Sequence, residues 1–166
     1  MPYQIFRGRV LSFSARPASI DDTSSYDYFE DGAVLVRDGI IESIGDFADI
    51  RGQLAAVDTV AGTAAAPAAS AEVIDHRPNL ILPGFIDAHN HLPQMQVIGS
   101  YGAQLLDWLN TYTFPAEASF SDPDHAQYIA SSYFDEMLRN GTTTTVAYCS
   151  SHKTSAEAYF NEAEKR

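Results

Sequence analysis

Apolar and polar positions partly alternate along "YQIFRGRVLSF", Tyr3 to Phe13, as they do on a strand with one buried face. A polar segment, "DDTSSYDYFEDG", follows as a loop, and "AVLVRDGIIESIG" then carries two β-branched runs around Asp38 and Gly39. Those two residues supply the positive backbone φ of a tight turn, so the segment predicts a hairpin. From Leu54 to Glu72 the pattern dissolves into "LAAVDTVAGTAAAPAASAE". With Gly62, Pro67 and Ser70 in it, this low-complexity tract reads as a loose inserted loop rather than a core helix. Residues 1–82 are accordingly expected to form a β-module in which 54–72 is an Ala-rich loop.

The pattern then changes. "NLIL" and "FIDA", inside "EVIDHRPNLILPGFIDAHNH", are nearly continuous apolar runs of the kind that fill a sheet buried on both faces, and both read as core strands. "AQLLDWLNTY" puts Leu105, Leu106, Trp108, Leu109 and Tyr112 at helical spacings. In "SDPDHAQYIASSYFDEMLRNG" Asp122 is a natural N-cap, Pro123 suits the first helical position, Gly141 suits the exit, and Ala126, Ile129, Tyr133 and Met137 line one face. "TTTTVAY", Thr142 to Tyr148, is a β-branched strand. "TSAE", Thr154 to Glu157, has the form of a capping box opening a helix that runs on to Arg166. Strand, helix and strand in this order open a parallel β/α structure. A (β/α)₈ barrel takes about 250 residues, so residues 83–166 are expected to hold only its first β/α units, and the chain to be the N-terminal part of a larger protein.

Composition narrows the partners. At 166 residues and 45% hydrophobic content the chain has ample core material, and its net charge of −12 argues against a phosphate-binding surface and hence against nucleic acid. The single cysteine, Cys149, excludes an intramolecular disulfide. No signal-peptide pattern or bilayer-length apolar run is present, so no membrane partner and a cytoplasmic location are expected.

Candidate chemistry concentrates in "PGFIDAHNH", Pro83 to His91. His89 and His91 stand at i and i+2, so on a strand both imidazoles leave the same face and can reach one ion. They also close a presumed first barrel strand, at the end where catalytic groups of such barrels collect. Asp87, two residues before His89, is placed either to orient a ligand or to satisfy a buried donor. His125, in the first turn of a helix, and His152, beyond the second strand, are not candidates for the same ion. The zinc deaminases that use a paired-cysteine motif are excluded by the single cysteine.

"LPGFIDAHNH" resembles the first-strand motif of the amidohydrolase superfamily, metal-dependent hydrolases on a distorted (β/α)₈ barrel with a small β-sandwich. Within it, "GSYGAQLLDWLNTYTFPAE", Gly99 to Glu117, is similar to the segment after the metal motif in the guanine deaminases, and "RNGTTTTVAY" is similar to their second strand but shared more widely. The resemblance covers residues 73–152 well and 1–50 loosely. It implies that residues 1–82 belong to the β-sandwich, that His89 and His91 are the first two ligands of a single zinc ion, and that Gln94 contacts the purine. Trp108, Phe114 and Pro115 are candidate pocket walls, with core packing preferred for Trp108 beside Leu105 and Leu109. The implied reaction is hydrolysis of guanine to xanthine and ammonia in purine catabolism, by a homodimer. The remaining ligands and the proton-shuttling glutamate would come from later strands, so no catalytic residue is expected in this chain and the chain alone is expected to be inactive. The alternatives are another zinc amidohydrolase acting on a cyclic amide or nucleobase, or a non-catalytic truncated product.

Overall fold

A computed structural model of the chain describes residues 3–61 and 71–166 and separates into two compact units, one ending at Pro83 and the other beginning at Gly84.

The first unit is a four-stranded sheet of β1 (Gln4–Phe13), β2 (Tyr26–Arg37), β3 (Ile40–Asp46) and β4 (Glu72–Ile81), in the order β3-β2-β1-β4. Strands β1 and β2 run antiparallel, and β2 turns into β3 through Asp38 and Gly39 at φ 52° and 78°, the hairpin that their sequence predicts. The polar loop is shorter than its composition implies, because Tyr26, Asp27 and Tyr28 pair with Phe13, Ser12 and Leu11 and so begin β2. The loop expected from Leu54 is also partly replaced: α1 (Phe47–Ala61) continues through it. Ile50 and Leu54, one turn apart, are buried with Ile5, Ala33 and Leu35, and that packing holds a helix where composition alone reads a loop. Residues 62–70 of the tract lie outside the described residues. "NLIL" joins this sheet and not the strand pair that holds "FIDA". Its Leu80 and Ile81 pair in parallel with Arg9 and Val10, so the run completes this first sheet before the chain leaves it at Leu82.

The second unit is built on two parallel strands, β5 (Phe85–His91) and β6 (Thr142–Tyr148). Gly84 admits their close start, since a Cβ there would stand 2.0 Å from Thr143 Oγ1. A 3₁₀ stretch (Leu92–Val97) leaves β5. A helical run follows, made of α2 (Leu105–Trp108), a π turn (Leu109–Thr113), α3 (Phe114–Ala118) and a 3₁₀ turn (Ser119–Ser121). Then come α4 (Pro123–Arg139) and, after β6, α5 (Lys153–Ala163). The α4 signals operate as its sequence reads: the Asp122 carboxylate accepts from Asp124 N–H, and the helix exits through Gly141 at φ 81°. Leu92, Phe120, Ala126, Ile129, Ala130, Tyr133, Phe134 and Ala158 form the core.

Three expectations are corrected here. Thr154 is not an N-cap, because α5 starts at Lys153 after His152; the Thr154 hydroxyl donates instead to the Phe120 carbonyl. The helix also closes at Ala163, and Arg166 turns back to pair with Asp135 at 2.8 Å. Finally, "FIDA" has the pattern of a strand buried on both faces, yet Ile86 is 73% exposed, and Val146 of β6 is 61% exposed, since the helices of this unit leave part of the two-stranded sheet uncovered. No helix among the described residues is long and apolar enough to cross a membrane.

Candidate metal and substrate site

The end of β5 carries the chemistry. Pairing with β6 shifts register between Asp87, opposite Thr145, and Asn90, opposite Ala147, so β5 holds one extra residue there and the strand bulges. His89 and His91 leave it side by side, their Nε2 atoms 3.2 Å apart. Two nitrogens each about 2.0–2.1 Å from one tetrahedral zinc stand roughly 3.3 Å apart. The separation therefore suits two ligands of one ion, and imidazole is a donor that zinc favours. Tyr148, at the end of β6, stacks on the His91 ring with centroids 4.8 Å apart and 17° between planes, and lies 5.2 Å from His89. An aromatic wall of that kind restricts how the two imidazoles can turn.

Asp87 does not reach either ring. Its Oδ1 accepts from the His89 backbone N–H at 3.1 Å and its Oδ2 from the Asn90 amide at 3.0 Å, and these bonds, the Asn90 bond foremost, hold its carboxyl below the usual aspartate range. It thus steadies the backbone that carries the histidines. Asn90 itself turns toward α4, where Tyr133 donates to its Oδ1 at 2.7 Å, and its amide donates to Thr145 Oγ1 of β6 at 2.6 Å. Burial pushes the Tyr133 hydroxyl up, so it stays a neutral donor.

Gln94, half-buried in the 3₁₀ stretch, shares an open cavity of about 570 Å³ with His89, His91, Met95, Trp108 and Tyr133. Its amide can both donate to and accept from a heterocycle edge. Trp108 corrects its expected place in the core. It walls this cavity, its indole N–H fixed on the Ser100 carbonyl at 3.0 Å, while the Leu105 it was grouped with is 70% exposed. The π turn that begins at Leu109 breaks the single helical face on which the spacing argument rests. Gly102 leaves room for the indole, because a Cβ there would stand 2.4 Å from Trp108 Cβ. Phe114 and Pro115 are exposed and do not line the cavity.

His125 and His152 of this unit do not join His89 and His91. His125 packs edge-on against Phe120 with its Nε2 buried and unpaired, and His152 meets the Ser150 hydroxyl at 3.3 Å. Among the described residues no three His, Cys, Asp or Glu side chains gather as a metal cluster. Burial pushes the Cys149 thiol up, away from the thiolate form. Sequence reasoning missed Tyr148, Asn90 and Thr145, and placed Tyr133 only in the core. The available signal was Asn90, which strand alternation turns away from the two histidines and toward whatever covers the sheet.

Comparison with known proteins places the site in context. The model of the amidohydrolase family matches residues 80–166. A guanine deaminase of Escherichia coli is 36% identical over 140 residues, which is 84% of this chain and 29% of that protein. The crystal structure of guanine deaminase from Bradyrhizobium japonicum superposes with a TM-score of 0.83 at 31% identity, over 100% of this chain and 33% of that one. That of guanine deaminase from C. acetobutylicum, with guanine bound in its active site, gives 0.71 at 30% identity, over 98% of this chain and 34% of that one. The chain thus spans about a third of the length of these three relatives.

Proposed function

The chain belongs to the amidohydrolase family, and we propose on that basis that it contributes the first metal ligands and part of the substrate pocket of a zinc-dependent guanine deaminase, which converts guanine and water to xanthine and ammonia. The observation that carries this reading is the 3.2 Å separation of His89 and His91 Nε2 at the C-terminal end of β5, beside a cavity that also holds Gln94. The guanine deaminases similar to it over most of its length support the choice of purine.

In this reading His89 and His91 each give one imidazole nitrogen to the zinc, so both must be neutral at those nitrogens, and Tyr148 limits their rotation. The zinc, when bound, supplies Lewis acidity and activates the hydrolytic water. Gln94 orients the base, its carbonyl accepting from a ring or exocyclic N–H and its NH₂ donating to a ring nitrogen or oxygen. Trp108 presents an apolar ring surface that excludes water from one side of the pocket. No residue of the chain is assigned to carry protons during the reaction. Two imidazoles fall short of the three protein ligands of a catalytic zinc site, so the 166 residues alone are proposed to be inactive and the activity to belong to a complete barrel, a cytoplasmic homodimer. Ammonia release from guanine by the barrel-complete enzyme tests this. Replacing His89→Ala is expected to reduce it to background, and a wild-type rate in that variant would sink the assignment.

A further inference from the structure

We infer that Asn90, locked by Tyr133 and Thr145, is a positioning residue that fixes the bulge at the end of β5 and thereby aims His89 and His91 at one point. This rests on the reading of those histidines as metal ligands and deepens it. Three elements meet at Asn90, and each contributes one polar group. Tyr133 of α4 gives its hydroxyl proton to Asn90 Oδ1 at 2.7 Å, and Asn90 of β5 gives an amide proton to Thr145 Oγ1 at 2.6 Å. Thr145 of β6 is then left with its own proton for the Tyr133 oxygen, 3.2 Å away. The three bonds close a ring in which every donor is used in one direction, and such rings reinforce themselves in a half-buried setting. The second amide hydrogen of Asn90 goes to Asp87, so both amide hydrogens are spent, and turning the amide over would set its oxygen against the Asp87 carboxylate, which can only accept.

The ring sits where the strand is irregular. Between Asp87 and Asn90 the ladder to β6 slips by one residue, and the extra residue lies within the segment that includes His89. A bulge re-aims the side chains around it and leaves its extra residue unpaired in the ladder, and here side chains tie the strand on both sides of it. Asp87 ties it before, through the His89 N–H, and the Asn90 ring ties it after, to β6 and to α4. Because Asn90 stands between the two histidines on the opposite face of the strand, fixing its side chain fixes the roll of the backbone from which both imidazoles project.

The test uses the complete enzyme with Thr145→Val, which keeps the shape of the side chain and removes the hydroxyl, Tyr133→Phe, which keeps the ring packed in the core, and Thr145→Ser, which keeps the hydroxyl. Zinc affinity is measured by chelator competition, and the ring nitrogen resonances of His89 and His91 are recorded in metal-free protein. Thr145→Val and Tyr133→Phe are each expected to weaken zinc binding about 10-fold and to move both histidine signals, whereas Thr145→Ser behaves as wild type. Wild-type affinity and unmoved histidine signals in the Val and Phe variants would overturn the inference, as would a Ser variant as impaired as Val. His89→Ala separates the two claims. If it binds zinc as well as wild type, the ligand assignment is wrong, and the metal-free histidine signals still decide whether the ring positions those side chains.

Discussion

In the β1–β4 unit the ion pairs Arg7–Asp31 and Arg77–Asp75, each at 2.6 Å, keep at least one partner well exposed, and the packed cluster around Ile5 and Ile50 is apolar, with Ser25 a buried polar residue beside the sheet. In the β5–β6 unit polar groups are drawn inward instead. Asn90, Thr145 and Tyr133 bond to one another between strand and helix, and Glu162, 3% exposed, is held by Gln127, Lys165 and Arg166. Exposed ion pairs contribute little, because water serves either partner nearly as well. Inward hydrogen bonds gain only modestly when made but cost more when one partner is lost, so they select one arrangement over its neighbours. The first unit needs only a stable sheet. The second, in the role proposed for it, holds two imidazoles in one orientation, and Asp87 and Asn90 bond on the strand that carries them.

If that contrast is right, the two units should respond alike to lost packing and differently to lost polar contacts. The largest effects come from the cores. Phe120→Ala in the second unit is expected to cost about 3–5 kcal/mol and Ile5→Ala in the first about 2–5 kcal/mol, since both side chains are fully buried. Urea denaturation of the complete protein measures both, and a loss under about 1 kcal/mol in either would show that its unit is not held by this packing. A smaller, local effect is expected at the cavity. Gly102→Ala places a Cβ against Trp108, the only tryptophan in the chain, and should push the indole toward solvent. A red-shifted emission with greater quenching by acrylamide is the expected signature in this sequence, and unchanged emission would mean that the loop yields and the wall stays. The smallest effect belongs to the outer charges. Asp75→Asn breaks the pair with Arg77 at the surface and should leave the denaturation midpoint within the scatter of wild type, while a clear shift would erase the contrast between the units.

The features legible along the chain are those decided by near neighbours. The Asp38–Gly39 turn needed only two residues able to adopt positive φ, α4 carried its own cap, first proline and exit glycine, and His89 and His91 share a side because they are two residues apart. At the start of the Ala-rich tract, residues 54–61, composition registers the alanines and reads a loop, whereas the helix there depends on Ile50 and Leu54 meeting a sheet face built from Ile5 and Leu35. Spacing puts Trp108 in the core because it assumes an unbroken helix, and the π turn after it changes which way the side chains beyond it point.

Local spacing thus determined by itself the hairpin, the capped helix, the β6 strand and the paired histidines, because turns, caps and strand alternation involve residues a few positions apart. The tertiary structure alone decided that β4 joins β1 in parallel, that Trp108 walls the cavity and that Asn90 closes a ring with Tyr133 and Thr145, 43 and 55 positions away. Those contacts exist only once distant segments are packed together, since a hydrogen bond or a van der Waals contact acts over a few ångströms of space and leaves no trace in the order of the residues.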